Sequence, residues 1–179
     1  MMSKIKTLAI VGGISKGSLN RNLLSEIVKH NKSSLEFSTF EIGNLPFFSQ
    51  ELERNPPQVV TDFKRSVQEA DAVLFITPEY NRSYPGVLKN AIDWCSRPLT
   101  NSLWKCKPVA VIGASPGKIG TFGAQQHLKN VCNFLDMRMM NAPEFYFDAS
   151  TSMDENSFTP QTIDFVQHYL KKFEEWIRN

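Results

Sequence analysis

The feature that most constrains this chain is a set of short, almost unbroken apolar runs separated by stretches of helical periodicity. Residues 7–12 (TLAIVG), 72–76 (AVLFI) and 109–112 (VAVI) carry almost nothing polar. A strand with one wet face alternates, whereas a strand buried on both faces reads as a continuous apolar run. These three segments are therefore expected at the centre of a sheet. Residues 35–42 alternate more and are expected at or near an edge. A fifth segment, around Met139 to Phe147, is interrupted by Pro143, whose missing N–H also favours an edge.

Helical patterns fill the gaps. Leu19, Leu23, Leu24, Ile27 and Val28 share one face of a helix opening at Ser18. Further helices are expected over 57–70, with Pro57 near the start, over 86–95 and over roughly 123–135. The last helix has Thr159 as N-cap and Pro160 at its first position, with Ile163, Val166, Leu170, Phe173 and Ile177 recurring at spacings of 3, 4, 3 and 4. Segment 148–158 (DASTSMDENSF) reads as a polar loop. Strand and helix alternate about five times, the pattern of an α/β fold with a parallel sheet covered on both faces. The 179 residues are near the size of one domain, so 1–179 is read as a single unit.

Composition removes several classes of function. Lys and Arg number 20 against 18 Asp and Glu, a net charge of +2. The charges are scattered, which gives no electrostatic case for nucleic acid or an anionic membrane. No stretch approaches the roughly 20 apolar residues of a membrane span. The opening residues MMSKIKTLAIVGG hold an apolar run about half the length of a signal-peptide core, without a cleavage pattern. Cys95, Cys106 and Cys132 are an odd set without a zinc spacing, and are read as free, packed thiols. The expected protein is soluble and cytoplasmic. His30, His127 and His168 are isolated and read as structural, with no metal site.

In α/β folds ligands sit at the carboxyl ends of the strands, so the loops there carry the chemistry. After the first strand, Gly12-Gly13-Ile14-Ser15-Lys16-Gly17-Ser18-Leu19-Asn20 runs straight into a helix. Small residues permit a tight turn, and the free N–H groups of a helix start attract an anion. The hydroxyls of Ser15 and Ser18 and the amide of Asn20 add neutral donors, which suit a phosphate that is held rather than transferred. The loop is neither G-x-x-x-x-G-K-[ST] nor G-x-G-x-x-G, which argues against triphosphate hydrolysis and a dinucleotide-type site. An ordinary strand–helix turn capped by Ser18 is the alternative. After the third strand, Thr77-Pro78-Glu79-Tyr80-Asn81-Arg82-Ser83-Tyr84-Pro85-Gly86 is a stiff aromatic loop able to bracket a planar heterocycle; the alternative is a turn packed on its own helix. After the fourth, the glycines of Gly113 to Gly123 suggest close backbone approach to a ligand, against a flexible surface loop.

These loops resemble the NADPH-dependent FMN reductase family of flavodoxin-like proteins, which includes bacterial quinone and chromate reductases and some azoreductases. Gly12, Ser18 and Asn20 match the family's G-S-x-R-x-x-S-x-N loop. The family's T-P-E-Y-N followed by S-x-P-G-x-L-K-N-A-I-D-W is nearly intact from Thr77 to Trp94. Lys107-Pro108, Ser115, Gly117 and the N-x-P-E-F of Asn141 to Phe145 also fit. The departures are Gly13 in place of Ser and Ser15 in place of Arg, which removes a bidentate phosphate partner; Lys16 is the nearest point charge.

The resemblance implies a flavodoxin-like three-layer sandwich, with a five-stranded parallel sheet and helices on both faces. It implies FMN, with its phosphate on Gly13, Ser15, Ser18, Leu19 and Asn20, its ring edged by Pro78, Glu79, Tyr80 and Asn81, and its pyrimidine side reached by Ser115 and Gly117. The reaction implied takes electrons from NADPH or NADH to a small-molecule acceptor: a quinone, azo compound, chromate or free flavin. The flavin supplies that chemistry, so no catalytic side chain is named. A homodimer or homotetramer is implied, with Phe47 or Phe48 near its boundary unless both fold back into the core. Glu79 is placed at a rim or subunit contact, Lys89 and Asp93 as a helix pair, and Trp94 as packing. An electron-carrier flavodoxin and a flavin-free sensor remain as alternatives, and the near-neutral charge argues against the carrier.

Overall fold

The computed structural model describes residues 3–154 and 157–179. The sheet is built from β1 (Ile5–Val11), β2 (Leu35–Thr39), β3 (Ala72–Ile76), β4 (Pro108–Ser115), β5 (Arg138–Met139) and β6 (Tyr146–Asp148). Between them run α1 (Leu19–His30), a short α2 (Gln50–Glu53), α3 (Gln58–Glu69), α4 (Gly86–Cys95) and α5 (Phe122–Phe134). A short α6 (Ala149–Ser152), β7 (Met153–Asp154), β8 (Ser157–Phe158) and α7 (Pro160–Arg178) complete the described chain.

All neighbouring strands of the sheet are parallel, in the order β2-β1-β3-β4-β5, with β6 also beside β4. This is the flavodoxin-like winding that the resemblance implied. Every residue of β3 is buried, as its unbroken apolar run requires. Alternate side chains serve two cores. Leu8, Ile10, Val73, Phe75, Val109 and Val111 pack under α3, α4 and α5. Ala9, Val11, Leu74, Ile76, Ala110 and Ile112 pack under α1 and α7. The result is three layers. α7 starts as the sequence requires, with the Thr159 hydroxyl accepting from the Thr162 N–H at 3.3 Å.

Four readings are corrected. The fifth strand is two short ones, β5 beside Pro108 and Val109 and β6 beside Gly113 to Ser115, because the segment around Pro143 takes no part in the ladder. The polar loop 148–158 contains α6 and the antiparallel pair β7–β8, with positions 155 and 156 outside the described residues. That ribbon is tied down by Glu26, whose buried carboxylate accepts from the Phe158 N–H at 3.1 Å. Burial pushes the Glu26 carboxyl up, but the bonds from Lys29 and Phe158 outweigh it and hold the group below its usual range. Val28 is exposed; Leu23, Leu24 and Ile27 form the buried face of α1.

The fourth correction concerns the thiols: Cys95 and Cys132 are packed, but Cys106 is exposed in the turn before β4, at φ +58°. Burial pushes the Cys95 thiol up strongly and that of Cys132 to about 12. A thiol-exchange reagent at pH 8 should titrate one cysteine in the native protein and all three after unfolding. Three equally fast thiols in the native protein would contradict this packing.

Candidate functional site

β1 lies between β2 and β3, and the winding reverses there: α1 leaves β1 on one face of the sheet and α4 leaves β3 on the other. The two loops part at the carboxyl edge and open a crevice. Gly12 sits at the parting. A Cβ there would touch Leu88 Cδ2 of α4 and Pro78 Cδ of the third loop, both at 3.4 Å, so the first loop lies close to both.

The first loop ends at Ser18, which has extended backbone at the N-cap of α1 and a buried side chain that makes no capping bond. Its hydroxyl lies against Gly13, where a Cβ would overlap Ser18 Oγ. A larger residue at Gly13 would have to displace the Ser18 hydroxyl. The exposed Ser15 accepts through its carbonyl from the Ser18 N–H at 3.2 Å, closing the turn. Leu19 is half-buried, and the first turn of α1 carries no acid. The arrangement leaves a helix N-terminus with an uncapped hydroxyl, a suitable seat for a phosphate oxygen.

Asn20 has a different part from the free donor that the sequence led us to expect. Its amide Nδ2 donates to the Ala114 carbonyl at 3.1 Å, and its Oδ1 accepts from the Ala114 N–H at 2.9 Å. It ties α1 to the end of β4. Arg21, which sequence reasoning missed, donates from Nε to the Gly13 carbonyl at 3.1 Å and from Nη2 to both Glu41 oxygens at 2.8 Å. In a trans peptide the C=O and N–H point oppositely. Holding the Gly13 carbonyl toward Arg21 therefore turns the Ile14 N–H the other way. Ile14, Lys16, Arg21 and Glu41 line a cleft of about 500 Å³.

The third loop folds into a two-residue hairpin. The Tyr80 N–H donates to the Ser83 carbonyl at 2.8 Å and Ser83 N–H returns the bond at 3.0 Å. Asn81 and Arg82 have φ of +50° and +64°, the pair of left-handed residues a type I′ turn demands. His127 Nδ1 meets Ser83 Oγ at 3.2 Å and steadies it. Glu79 turns toward α5, where its Oε2 accepts from the Ala124 N–H at 3.1 Å. The N-cap of α5, Thr121, gives no capping bond, so Glu79 satisfies that helix end from another loop. Tyr80 is exposed and Pro78 half-buried.

In the fourth loop the Ser115 hydroxyl donates to the Gly117 carbonyl at 2.7 Å and accepts from the Gly120 N–H at 3.1 Å, which folds the loop on itself. Two of its glycines are called for by packing within the chain itself. A Cβ at Gly113 would overlap the Thr121 hydroxyl and the Thr77 carbonyl, and one at Gly120 would overlap the Tyr146 backbone. A Cβ at Gly117 would meet nothing within 4 Å. Between this loop and the hairpin lies a cleft of about 440 Å³ that brings together Glu79, Asn81, Ser115 and Gly117. Lys89 and Asp93 pair at 2.7 Å, and Trp94 is buried with its Nε1 donating to the Pro46 carbonyl at 2.8 Å. Among the described residues no group of three or more His, Cys, Asp or Glu is placed to hold a metal, and no helix is long and apolar enough to cross a membrane.

Asn20→Ala would leave two buried backbone groups of Ala114 without partners. It should lower the unfolding free energy by about 2 kcal/mol, read from urea denaturation. An unchanged value would show that Asn20 does not join the two loops.

The model of the NADPH-dependent FMN reductase family matches residues 5–152, which include all three loops. A 2-hydroxy-1,4-benzoquinone reductase from a Burkholderia species is 40% identical over 178 residues, covering 98% of this chain and 97% of that one. A quinone reductase from Pseudomonas putida is 41% identical over 181 residues, with 99% and 97% covered. The structure of FerB, a flavoenzyme NAD(P)H:(acceptor) oxidoreductase from Paracoccus denitrificans, is similar with a TM-score of 0.90 at 41% identity, over 97% of both chains. With its winding, its uncapped helix start after β1 and its cleft in the places the match covers, the chain belongs to the NADPH-dependent FMN reductase family.

Proposed function

We propose that residues 1–179 act as one flavodoxin-like FMN-binding domain that passes electrons from NADPH or NADH to quinones. The same site would serve azo compounds, chromate or free flavin. The observation that carries this reading is Ser18, a buried residue at a helix N-cap whose hydroxyl the helix does not use, at the crevice where the sheet reverses. A terminal phosphate fits that seat: the N–H groups opening α1 and the Ser18 hydroxyl donate, while Gly13, Ser15 and Leu19 shape the loop. Arg21 keeps the Gly13 carbonyl turned aside, and Asn20 braces the seat against β4.

Pro78, Glu79, Tyr80 and Asn81 form one border of the space for a flat ring, and Ser115 with Gly117 the other. These residues would hold FMN, which would supply two-electron hydride chemistry, the overall reaction being NAD(P)H, a proton and a quinone giving NAD(P)⁺ and hydroquinone. The residues named hold and orient; none is assigned as acid or base, and none as a metal ligand.

The protein is proposed to work in the cytoplasm as a homodimer or homotetramer. Phe47 supports an assembly, since it stands 80% exposed next to Phe48, which turns inward edge-on to Trp94 at 5.1 Å. Its exposure supports the reading of Phe47 as a residue at the boundary with a second copy.

The purified protein should show flavin absorption bands that bleach when NADH or NADPH is added without oxygen. Persistent bands would mark an electron carrier, and a protein that stays colourless with added FMN would overturn the reading. Ser18→Ala should weaken FMN by about 1–3 kcal/mol, measured by flavin titration. Unaltered affinity would remove Ser18 from the site.

A further inference from the structure

The cleft between the hairpin and the fourth loop has an unbalanced charge. Its one acidic lining residue, Glu79, is mostly buried and faces the N-terminus of α5, where the Ala124 N–H and the helix dipole satisfy it. Its two cations come from opposite walls: Arg82 from the hairpin and Lys118 from the fourth loop. Both are exposed. Lys118 forms no ion pair among the described residues. Arg82 has only a single 3.4 Å contact to Glu79, which leaves most of its donor fork unused and contributes little to stability.

The backbone adds a second observation. Arg82 holds φ +64° at the second central position of a type I′ turn, where glycine is the unstrained choice. A side chain with a Cβ is disfavoured there. The strain sits on the rim of the cleft, with a guanidinium as what it presents.

We propose that Arg82 and Lys118 together bind an oxyanion carried by the second substrate of this site. Two sources have that chemistry: the 2′-phosphate of NADPH, and the ionised hydroxyl of a hydroxyquinone, which is acidic as the vinylogue of a carboxylic acid. In both cases the pair selects the charged member of a matched pair: NADPH over NADH, or hydroxyquinone over plain quinone. The inference rests on the flavin reading above and adds to it the residues that discriminate.

The test uses the flavin-loaded protein and the variants Arg82→Asn, Lys118→Gln and the double variant; asparagine tolerates the left-handed backbone. KM is measured for NADPH and NADH with 1,4-benzoquinone, and for 2-hydroxy-1,4-benzoquinone and 1,4-benzoquinone with NADH. Binding of NADP⁺ and NAD⁺ is followed separately by the change in flavin absorption. Each single variant should raise KM about tenfold for one charged substrate while its uncharged counterpart moves less than about twofold. Arg82→Lys should recover part of the loss. An effect on NADPH and NADP⁺ assigns the pair to the 2′-phosphate, and one on the hydroxyquinone assigns it to the acceptor. If charged and uncharged partners shift together, or neither shifts, the proposal is overturned while the flavin reading stands. A wild-type protein that binds no FMN overturns both, and is seen before any variant is made.

Discussion

The carboxyl edge of this sheet depends on the reversal of winding between β1 and β3. Strands buried on both faces satisfy their backbone within the ladder and present free N–H and C=O groups only where they end. At the reversal the departing helices diverge, so those ends are not covered by the chain that follows them. At the parting, a Cβ on Gly12 would already reach contact distance with Leu88 and Pro78, which shows how closely the two sides approach.

The loops that border the opening hold one another. Asn20 of the first reaches Ala114 beside the fourth, Glu79 of the third reaches Ala124 beyond the fourth, and His127 of α5 returns to Ser83 of the third. Each brace uses a side chain from one loop to satisfy backbone or hydroxyl groups of another. The site is therefore pre-formed to the extent that the sheet and these cross-loop bonds are, in keeping with a protein that positions a reactive cofactor.

The parts of this arrangement legible in the sequence are the ones set by local pattern. The apolar run of β3 and the limits of α4 agree residue for residue, and the Thr159–Pro160 start of α7 follows from cap chemistry alone. The parts that escaped are set by partners distant along the chain. Arg21 and Glu41 are 20 positions apart and Glu79 and Ala124 are 45 apart, and no periodicity links them. Asn20 looked like a ligand donor because its Ala114 partner is 94 positions away. Gly113 and Gly120 looked like ligand contacts for the same reason: a missing Cβ records close approach, but not of what. Strands of two residues, as in β5, β7 and β8, are too short for any alternation to show. Net charge, near zero, likewise says nothing of a cleft whose single acid is turned away.

The divided fifth strand has a consequence for how the protein behaves in company. A long, flat outer strand offers a continuous row of unpaired amides to which another chain can add, the first step of open-ended sheet growth. Here the rim beyond β4 consists of three residues at one end and two at the other, with the proline-bearing segment between them. An incoming strand finds no register to extend along that side. The interruption thus works against strand addition along that side, while the five residues of β2 form the other edge of the sheet.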